Sequence, residues 1–428
     1  MNKIFGGFRK LLASPDYRNL VGNFVYLSIL KVISFVMPLI TMPYLATVIG
    51  VDKFGAIAFA ASIVVLFQTI TDWGFNYTAT RDVAKHRENI GFVSEIFSEV
   101  LCAKTILMIL SFIGLLVLMY CIPSLKSYKL LLVYTFASIP GYILFPEWLF
   151  QAFEKMKYIT ILNVLSKFLF TVLIFFVITK KEDYVYQPLL IACGYLLSGI
   201  IAQYIIVKKF KIHFRISPLV NVFRRLKGST DMFLCLILPN LYTNFTTIIL
   251  KSYGGDFATG IYSSGQQFQQ IVDQLTEVLS RAFFPFLARH KDKHNVYVKI
   301  SGTISIIACL VLFSCADLFV DIFYTEEFRA SATVIRIFAI TPFFLFLMNT
   351  YGTNGLVLDG REDILRNIIV SCSIGGFILS CTWLLTPVWG YIGATITVTA
   401  VWGIRGLVTY YYYYYSKELH NGKDIIVG

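Results

Sequence analysis

The sequence predicts an all-α polytopic membrane protein: twelve transmembrane helices in two six-helix bundles, related by a pseudo-two-fold around a central cleft. Three observations predict it. Of 428 residues, 57% are hydrophobic and only 14% charged, with a mean hydropathy of +0.70, where a soluble domain carries about a quarter charged residues. Apolar stretches of about 20 residues, the length of a membrane crossing, recur along the whole chain. Finally, 37 Lys+Arg against 25 Asp+Glu leave a net charge of +12, and most of the cations fall between the apolar stretches. With so little water-facing surface, this basic balance is read against a membrane and excludes a nucleic-acid-binding domain.

Taken in order, the spans are 19–49, 54–79, 96–121, 128–152, 158–179, 187–207, 231–251, 258–288, 300–323, 332–358, 365–386 and 390–415. The first and eighth exceed a bilayer's thickness and therefore tilt or project. With the N-terminus inside, and with Lys129, Lys251 and Arg366 at span ends counted with the adjoining loops, the cytoplasmic side holds 24 Lys and Arg, the opposite side seven and the span interiors six. This bias sets both termini in the cytoplasm. Residues 1–18 interleave charges and glycines with apolar positions, so they read as a retained interfacial segment rather than a cleaved signal. The segment 208–230 contains Lys208, Lys209, Lys211, Arg215, Arg224, Arg225 and Lys227. It divides an N-terminal bundle, 1–207, from a C-terminal one, 231–428, and reads as a positive-inside anchor on anionic lipid. Tyr410–Tyr415 end the last span as an aromatic belt.

An internal repeat supports the division. Gly50-Val-Asp-Lys-Phe-Gly55 opens the second span, and Gly254-Gly-Asp-Phe-Ala-Thr-Gly260 opens the eighth with one extra residue. Seventeen residues beyond Gly55 stands Asp72, and seventeen beyond Gly260 stands Glu277. Duplicated six-helix halves have parallel topology about an axis along the membrane normal, an architecture of transporters.

Charges within spans mark polar paths, because an ionised side chain in lipid costs several kcal/mol. Gln266, Gln270, Asp273, Glu277 and Arg281 share an arc of roughly 80° on the eighth span. On the first span Ser34 and Thr41 share a face with Lys31, which sits near mid-membrane; on the seventh, Asn240 and Asn244 form a polar face without a charge. Lys167 and Arg405 are likewise too deep to reach the interface, whereas Lys104 and Arg336 lie near enough to helix ends to snorkel. Asp317, close to a span end, is expected to be solvated. A cleft carrying Lys31, Arg281, Lys167 and Arg405 is net basic and favours an anionic head group such as phosphate. Asp72, Asp273 and Glu277 are candidates to take up a proton or cation.

Nothing marks an enzyme. No P-loop, dinucleotide fingerprint, HExxH or GxSxG motif occurs. The five histidines lie in loops or the tail, the eight cysteines form no CxxC pair, and neither a metal site nor a disulfide framework is expected. The outer loops are only a few residues long, so a polymerase or glycosyltransferase would have little room for its chemistry.

Several segments together resemble one family. They are Gly22-Asn-Phe-Val-Tyr-Leu, Pro38-Leu-Ile-Thr-Met-Pro-Tyr-Leu45, Ile49-Gly-Val-Asp-Lys-Phe-Gly55, Asp72-Trp-Gly-Phe-Asn-Tyr-Thr-Ala-Thr-Arg-Asp-Val-Ala84 and Pro146-Glu-Trp-Leu-Phe-Gln-Ala-Phe-Glu-Lys-Met-Lys-Tyr158. The chain resembles the Wzx-type O-antigen flippases of the multidrug/oligosaccharidyl-lipid/polysaccharide superfamily. That resemblance implies a bacterial inner-membrane protein moving an undecaprenyl-pyrophosphate-linked oligosaccharide from the cytoplasmic to the periplasmic leaflet. It also implies alternating access coupled to H+ or Na+, no further cofactor, and polysaccharide polymerase and chain-length machinery as partners. Lys31, Arg281 and Arg405 would then accept the pyrophosphate, and Asp72, Asp273 and Glu277 would couple the ion. Arg81, near Asp72, fits the family's pattern. The competing readings are a MATE-like multidrug exporter of the same fold and a lipid-linked polysaccharide polymerase.

Overall fold

The computed structural model describes residues 15–289, 291–383 and 389–426; the side chains of Lys31 and Arg281, among others, lie outside the described set. Among the described residues every regular element is helical, as hydrocarbon requires of a backbone that must satisfy its own hydrogen bonds. The helices are α1 (Pro15–Asp72), α2 (Phe75–Lys85), α3 (Ile90–Cys121), α4 (Lys129–Phe136), α5 (Ser138–Leu144), α6 (Glu147–Ala152), α7 (Met156–Val177) and α8 (Gln187–Lys209). After the basic segment come α9 (Leu219–Arg289), α10 (His294–Ser314), α11 (Ala316–Phe323), α12 (Ser331–Phe338), α13 (Thr341–Leu347), α14 (Glu362–Trp383) and α15 (Gly390–Ile426). A π-helical turn, Met348–Val357, follows α13.

Among the described residues, ten helical stretches are long and apolar enough to cross a membrane. Two of them, Val32–Lys85 and Leu219–Ser280, run 54 and 62 residues, more than twice the ~20 residues that one crossing needs. The helices α1 and α9 are each broken at a glycine inside them: Gly50 at φ 70, ψ 176 in α1, and Gly255 at φ 73, ψ −171 in α9. A Cβ resists this left-handed geometry, so the glycine ends one helical segment and aims the next. The structure also corrects the register of the repeat. Gly50 corresponds to Gly255 rather than Gly254, so both copies run five residues from the left-handed glycine to the next one, with no insertion.

The chain divides into two compact units: residues 1–41, 67–179 and 185–233, and residues 42–66, 180–184 and 234–428. In the first, Phe75, Val83, Ile96, Phe97, Trp148 and Phe150 form a buried core. Left-handed Trp73 and Gly74 separate α1 from α2; Trp73 stacks on Phe233 at 4.0 Å and donates from its indole N–H to the Leu226 carbonyl. Arg225, in the basic segment of the sequence, donates to Asp82 at 2.8 Å and to buried Glu99 at 2.8 Å. Part of that segment is therefore fastened to α2 and α3 by ion pairs.

In the second unit the two repeat segments meet backbone to backbone. A Cβ on Gly55 would stand 2.0 Å from the Asp256 carbonyl oxygen, and one on Gly260 would stand 2.2 Å from that of Val51. The contact is reciprocal: in each copy the fifth residue after the left-handed glycine abuts the first residue after the partner glycine. Around it, Lys251 pairs with Asp256 at 2.8 Å, the Val51 amide donates to Glu327 at 3.3 Å, and Phe54 meets Tyr324 and Phe328 edge-on. Further along the unit, Tyr413 departs from the expected aromatic belt. It is buried and packs with Tyr351 and His294, while the other five tyrosines of the run are exposed. It points inward because a run of six on one helix covers more than a full turn.

Neither Gly55 nor Gly260 has room for a methyl group, so Gly55→Ala and Gly260→Ala are each expected to destabilise by about 1–3 kcal/mol, the cost of overpacking a fixed backbone. Gly228→Ala, with nothing within 4 Å of its Cβ, is the control. Thermal melting of the three purified variants in detergent separates them: equal midpoints would mean the close contact carries no packing constraint.

Candidate functional site

In the first unit, polar side chains from four helices converge. Asp72 closes α1 just before the Trp73-Gly74 break and accepts from buried Lys104 of α3 at 2.7 Å. Glu147 is the first residue of α6, placed there because Pro146 begins that short helix after an irregular turn; it accepts from the Asn163 amide of α7 at 2.6 Å. Lys167 stands one turn beyond Asn163, on the same face, and donates to the Ser34 hydroxyl of α1 at 2.5 Å. Glu147 feels the charges of Asp72, Lys167 and Lys104. Two carboxylates and two ammonium groups thus share one electrostatic neighbourhood. Thr41, also of α1, is buried and spends its hydroxyl on the Met37 and Pro38 carbonyls of its own helix.

This arrangement changes one expectation. Lys104 does not snorkel: it is 4% exposed and bridges to Asp72. Pairing with a carboxylate on the neighbouring helix offsets a desolvation that a lone ammonium would bear in full. Arg81, near Asp72 in sequence, pairs instead with its neighbour Asp82 at 3.2 Å. Arg336, the other cation expected to snorkel, bonds in the second unit to Asp317, and both side chains stay partly exposed, as expected of a solvated acid at a span end. Glu147 and Asn163 did not figure as site residues in the sequence. The four-residue step from Asn163 to Lys167 on one apolar helix was the available signal.

In the second unit, the polar stripe of α9 is partly spent on itself. Gln270 is exposed, and Gln266 donates to the Tyr262 hydroxyl at 3.2 Å. Asp273 is buried; it accepts from Gln269, while its Oδ1 is buried without a hydrogen-bond partner among the described residues. Gln269 lies just off the stripe, which is why spacing alone missed it. Glu277 is half-buried, close enough for its charge to act on Asp273. Nearer the start of this part of α9, the Asn244 amide donates to the Asn240 carbonyl at 2.9 Å. Arg405 of α15 is half-buried beside the Tyr242 hydroxyl, and its Nε is buried without a hydrogen-bond partner among the described residues. The expected roles of Lys31 and Arg281 fall on side chains outside the described residues.

Chemically, each unit offers membrane-embedded cations able to meet an anionic oxygen, Lys104 and Lys167 in one and Arg405 in the other. The second also offers a carboxylate with a free lone pair, able to hold a proton or a small cation. Cations and carboxylates held in this way suit the binding of charged groups within a membrane.

Comparison with known proteins sets this geometry in a lineage. The sequence profile of the "Polysaccharide biosynthesis protein" family matches residues 20–291. A protein of Escherichia coli (strain K12), provisionally named an O-antigen transporter, is 26% identical over 386 residues, covering 88% of this chain and 92% of its own. A Shigella dysenteriae protein of the same name is 25% identical over 356 residues, covering 81% and 89%. Among solved structures, the lipid II flippase MurJ in an inward closed conformation superposes with a TM-score of 0.73 at 12% identity, over 91% of this chain and 87% of that one. A point mutant of the Vibrio cholerae MATE transporter VcmN gives 0.64 at 14% identity over 94% and 97%. The fold is therefore that of the two-lobed membrane transporters to which both belong, and the chain is a multi-pass membrane protein that belongs to the polysaccharide biosynthesis protein family.

Proposed function

We propose that this protein is a flippase: it carries an oligosaccharide repeat unit, linked through pyrophosphate to undecaprenol, from the cytoplasmic to the periplasmic leaflet of a bacterial inner membrane, for O-antigen or capsular polysaccharide synthesis. Family membership and the O-antigen transporter name of two relatives support the class of substrate. The observation that carries the reading in this chain is the set of cations inside the spans, Lys104, Lys167 and Arg405, each beside groups that an anionic head group can displace. Twelve crossings, with α1 and α9 each counted as two, leave both termini in the cytoplasm. The partners that follow are the lipid-linked substrate, membrane lipids, a polysaccharide polymerase and chain-length machinery. Transport proceeds by alternating access coupled to H+ or Na+. Asp273 is the coupling group, because its Oδ1 is a buried acceptor without a partner among the described residues.

Depleting the protein from its host is expected to accumulate lipid-linked oligosaccharide on the cytoplasmic side, shielded from a membrane-impermeant glycan-modifying reagent. Accumulation on the periplasmic side would instead place the block after translocation and favour a polymerase. No accumulation, together with binding of lipophilic cations by the purified protein, would favour a multidrug exporter.

Two substitutions probe the site. Lys104→Met leaves Asp72 unpaired and is expected to cost about 3–5 kcal/mol, lowering the amount of folded protein in membranes. Asp72→Asn combined with Lys104→Met restores the level but not transport; restored transport would reduce the pair to a structural role. Asp273→Asn is expected to keep its membrane level while transport into vesicles loses its dependence on an imposed proton or sodium gradient, and an unchanged gradient response would remove Asp273 from coupling.

A further inference from the structure

The segment between α8 and α9 builds a pocket that neither the proposed transport path nor the helix packing uses. Its volume is about 410 Å³, and it lies between residues 211–221 and the first turns of α3. Lys211, His213 and Arg215, every second residue of a non-helical stretch, line it together. The stretch is fixed in place: Ile212 is fully buried in the core of the first unit, the His213 amide donates to the Ser94 hydroxyl at 3.3 Å, and the Arg215 amide donates to that of Ser98 at 3.0 Å. The basic row is therefore held by the fold and is not a loose tail.

The neighbouring pocket shows what a purely structural use of these cations looks like. There, in about 340 Å³, Arg225 is neutralised by Asp82 and Glu99. Lys211 and Arg215 make no ion pair among the described residues. The one carboxylate lining their pocket, Glu95, leaves a surplus of positive charge suited to a monoanionic group.

The second observation is apolar. Phe214, Ile216, Leu219, Val220 and Phe223, five large hydrophobic side chains within ten residues, are 49%, 88%, 61%, 68% and 66% exposed. The segment joins the end of one membrane-spanning helix to the start of the next long one, so it lies at the membrane boundary. Cations beside bared aromatic and aliphatic groups are the pattern of an interfacial segment on anionic lipid. A free phosphate would satisfy the cations and leave the hydrophobic side chains in water, whereas a phospholipid satisfies both.

We propose that this pocket binds the head group of one anionic phospholipid, its phosphate held by Lys211, His213 and Arg215 and its acyl chains lying against Phe214, Ile216 and Val220. The site docks the first unit's cytoplasmic rim onto the lipid surface and is separate from the cations within the spans.

The test uses the full-length protein in two kinds of vesicle, phosphatidylcholine alone and an equimolar mixture with phosphatidylglycerol. After mild detergent extraction, retained lipid is counted by native mass spectrometry. The wild type is expected to keep one phosphatidylglycerol per chain. K211Q/H213Q/R215Q is expected to weaken that retention about twenty-fold or more, at about fivefold per basic side chain near an anionic surface. Ile216→Ser, which leaves the charges and the buried core intact, is expected to weaken it without shifting the melting temperature in detergent. Lys227→Gln, outside the pocket, is expected to change nothing. Equal loss in Lys227→Gln would reduce the effect to general surface attraction and overturn the site. Displacement of the lipid by inorganic phosphate would make it a free-anion site, and displacement by polyprenyl phosphate would assign it to the transport path; either result overturns the proposal.

Discussion

A backbone amide without a partner in hydrocarbon costs several kcal/mol, and this constraint shapes both the helices and the places where they stop. Non-helical backbone at the membrane has to be sheltered by protein. Gly50 and Gly255 break the two longest helices, and the structure surrounds the first break with protein groups: Glu327 accepts from the Val51 amide, and Lys181 approaches Gly50. The breaks in turn allow the close approach of Gly55 to Asp256 and of Gly260 to Val51, since two helices meet backbone to backbone only where side chains are absent. The left-handed glycines and the close approach of the two repeat segments thus belong to one arrangement in the second unit.

The same rule applied to side chains explains the buried charges. Lys104 and Asp72, Arg225 with Asp82 and Glu99, and Lys251 with Asp256 are each paired. A buried pair is weak support for stability, but losing one member of it is costly. These pairs therefore fix geometry more than they stabilise it. Asp273 differs from these: it is buried, accepts from Gln269 through one oxygen, and has no hydrogen-bond partner on the other among the described residues.

How much of this was legible in the sequence follows from the range over which each signal acts. Apolar helices are properties of consecutive residues, so hydropathy found a multi-pass all-helical chain; the Gly-x-x-x-x-Gly repeat was found as well, though one residue out of register. Pairings between helices were not legible. Lys104 and Asp72 are 32 residues apart and Arg225 and Glu99 are 126 apart, and no periodicity relates them. Lys104 read as a snorkelling residue because depth along its own helix was the only coordinate the sequence offered. Glu147 escaped notice inside a motif quoted for its resemblance, since an acid after a proline ordinarily marks a helix start. The grouping of residues 42–66 with the C-terminal part of the chain depends on contacts across some two hundred residues, which a linear division at a basic linker does not capture.

The corrected repeat register allows one more step. Asp72 and Glu277 each stand 22 residues beyond their left-handed glycine, so the duplicated sequence places an acid at the same distance along the helix from each break. What surrounds the two acids differs. Asp72 meets the ammonium of Lys104, whereas Glu277 lies near a second acid, Asp273, which is itself bonded to a glutamine. A carboxylate already matched by a lysine exchanges its partner only when a stronger anion draws the lysine away. The duplication thus supplies two equivalent positions whose surroundings have diverged: one acid meets a lysine of another helix, and the other stands near a second acid on its own helix.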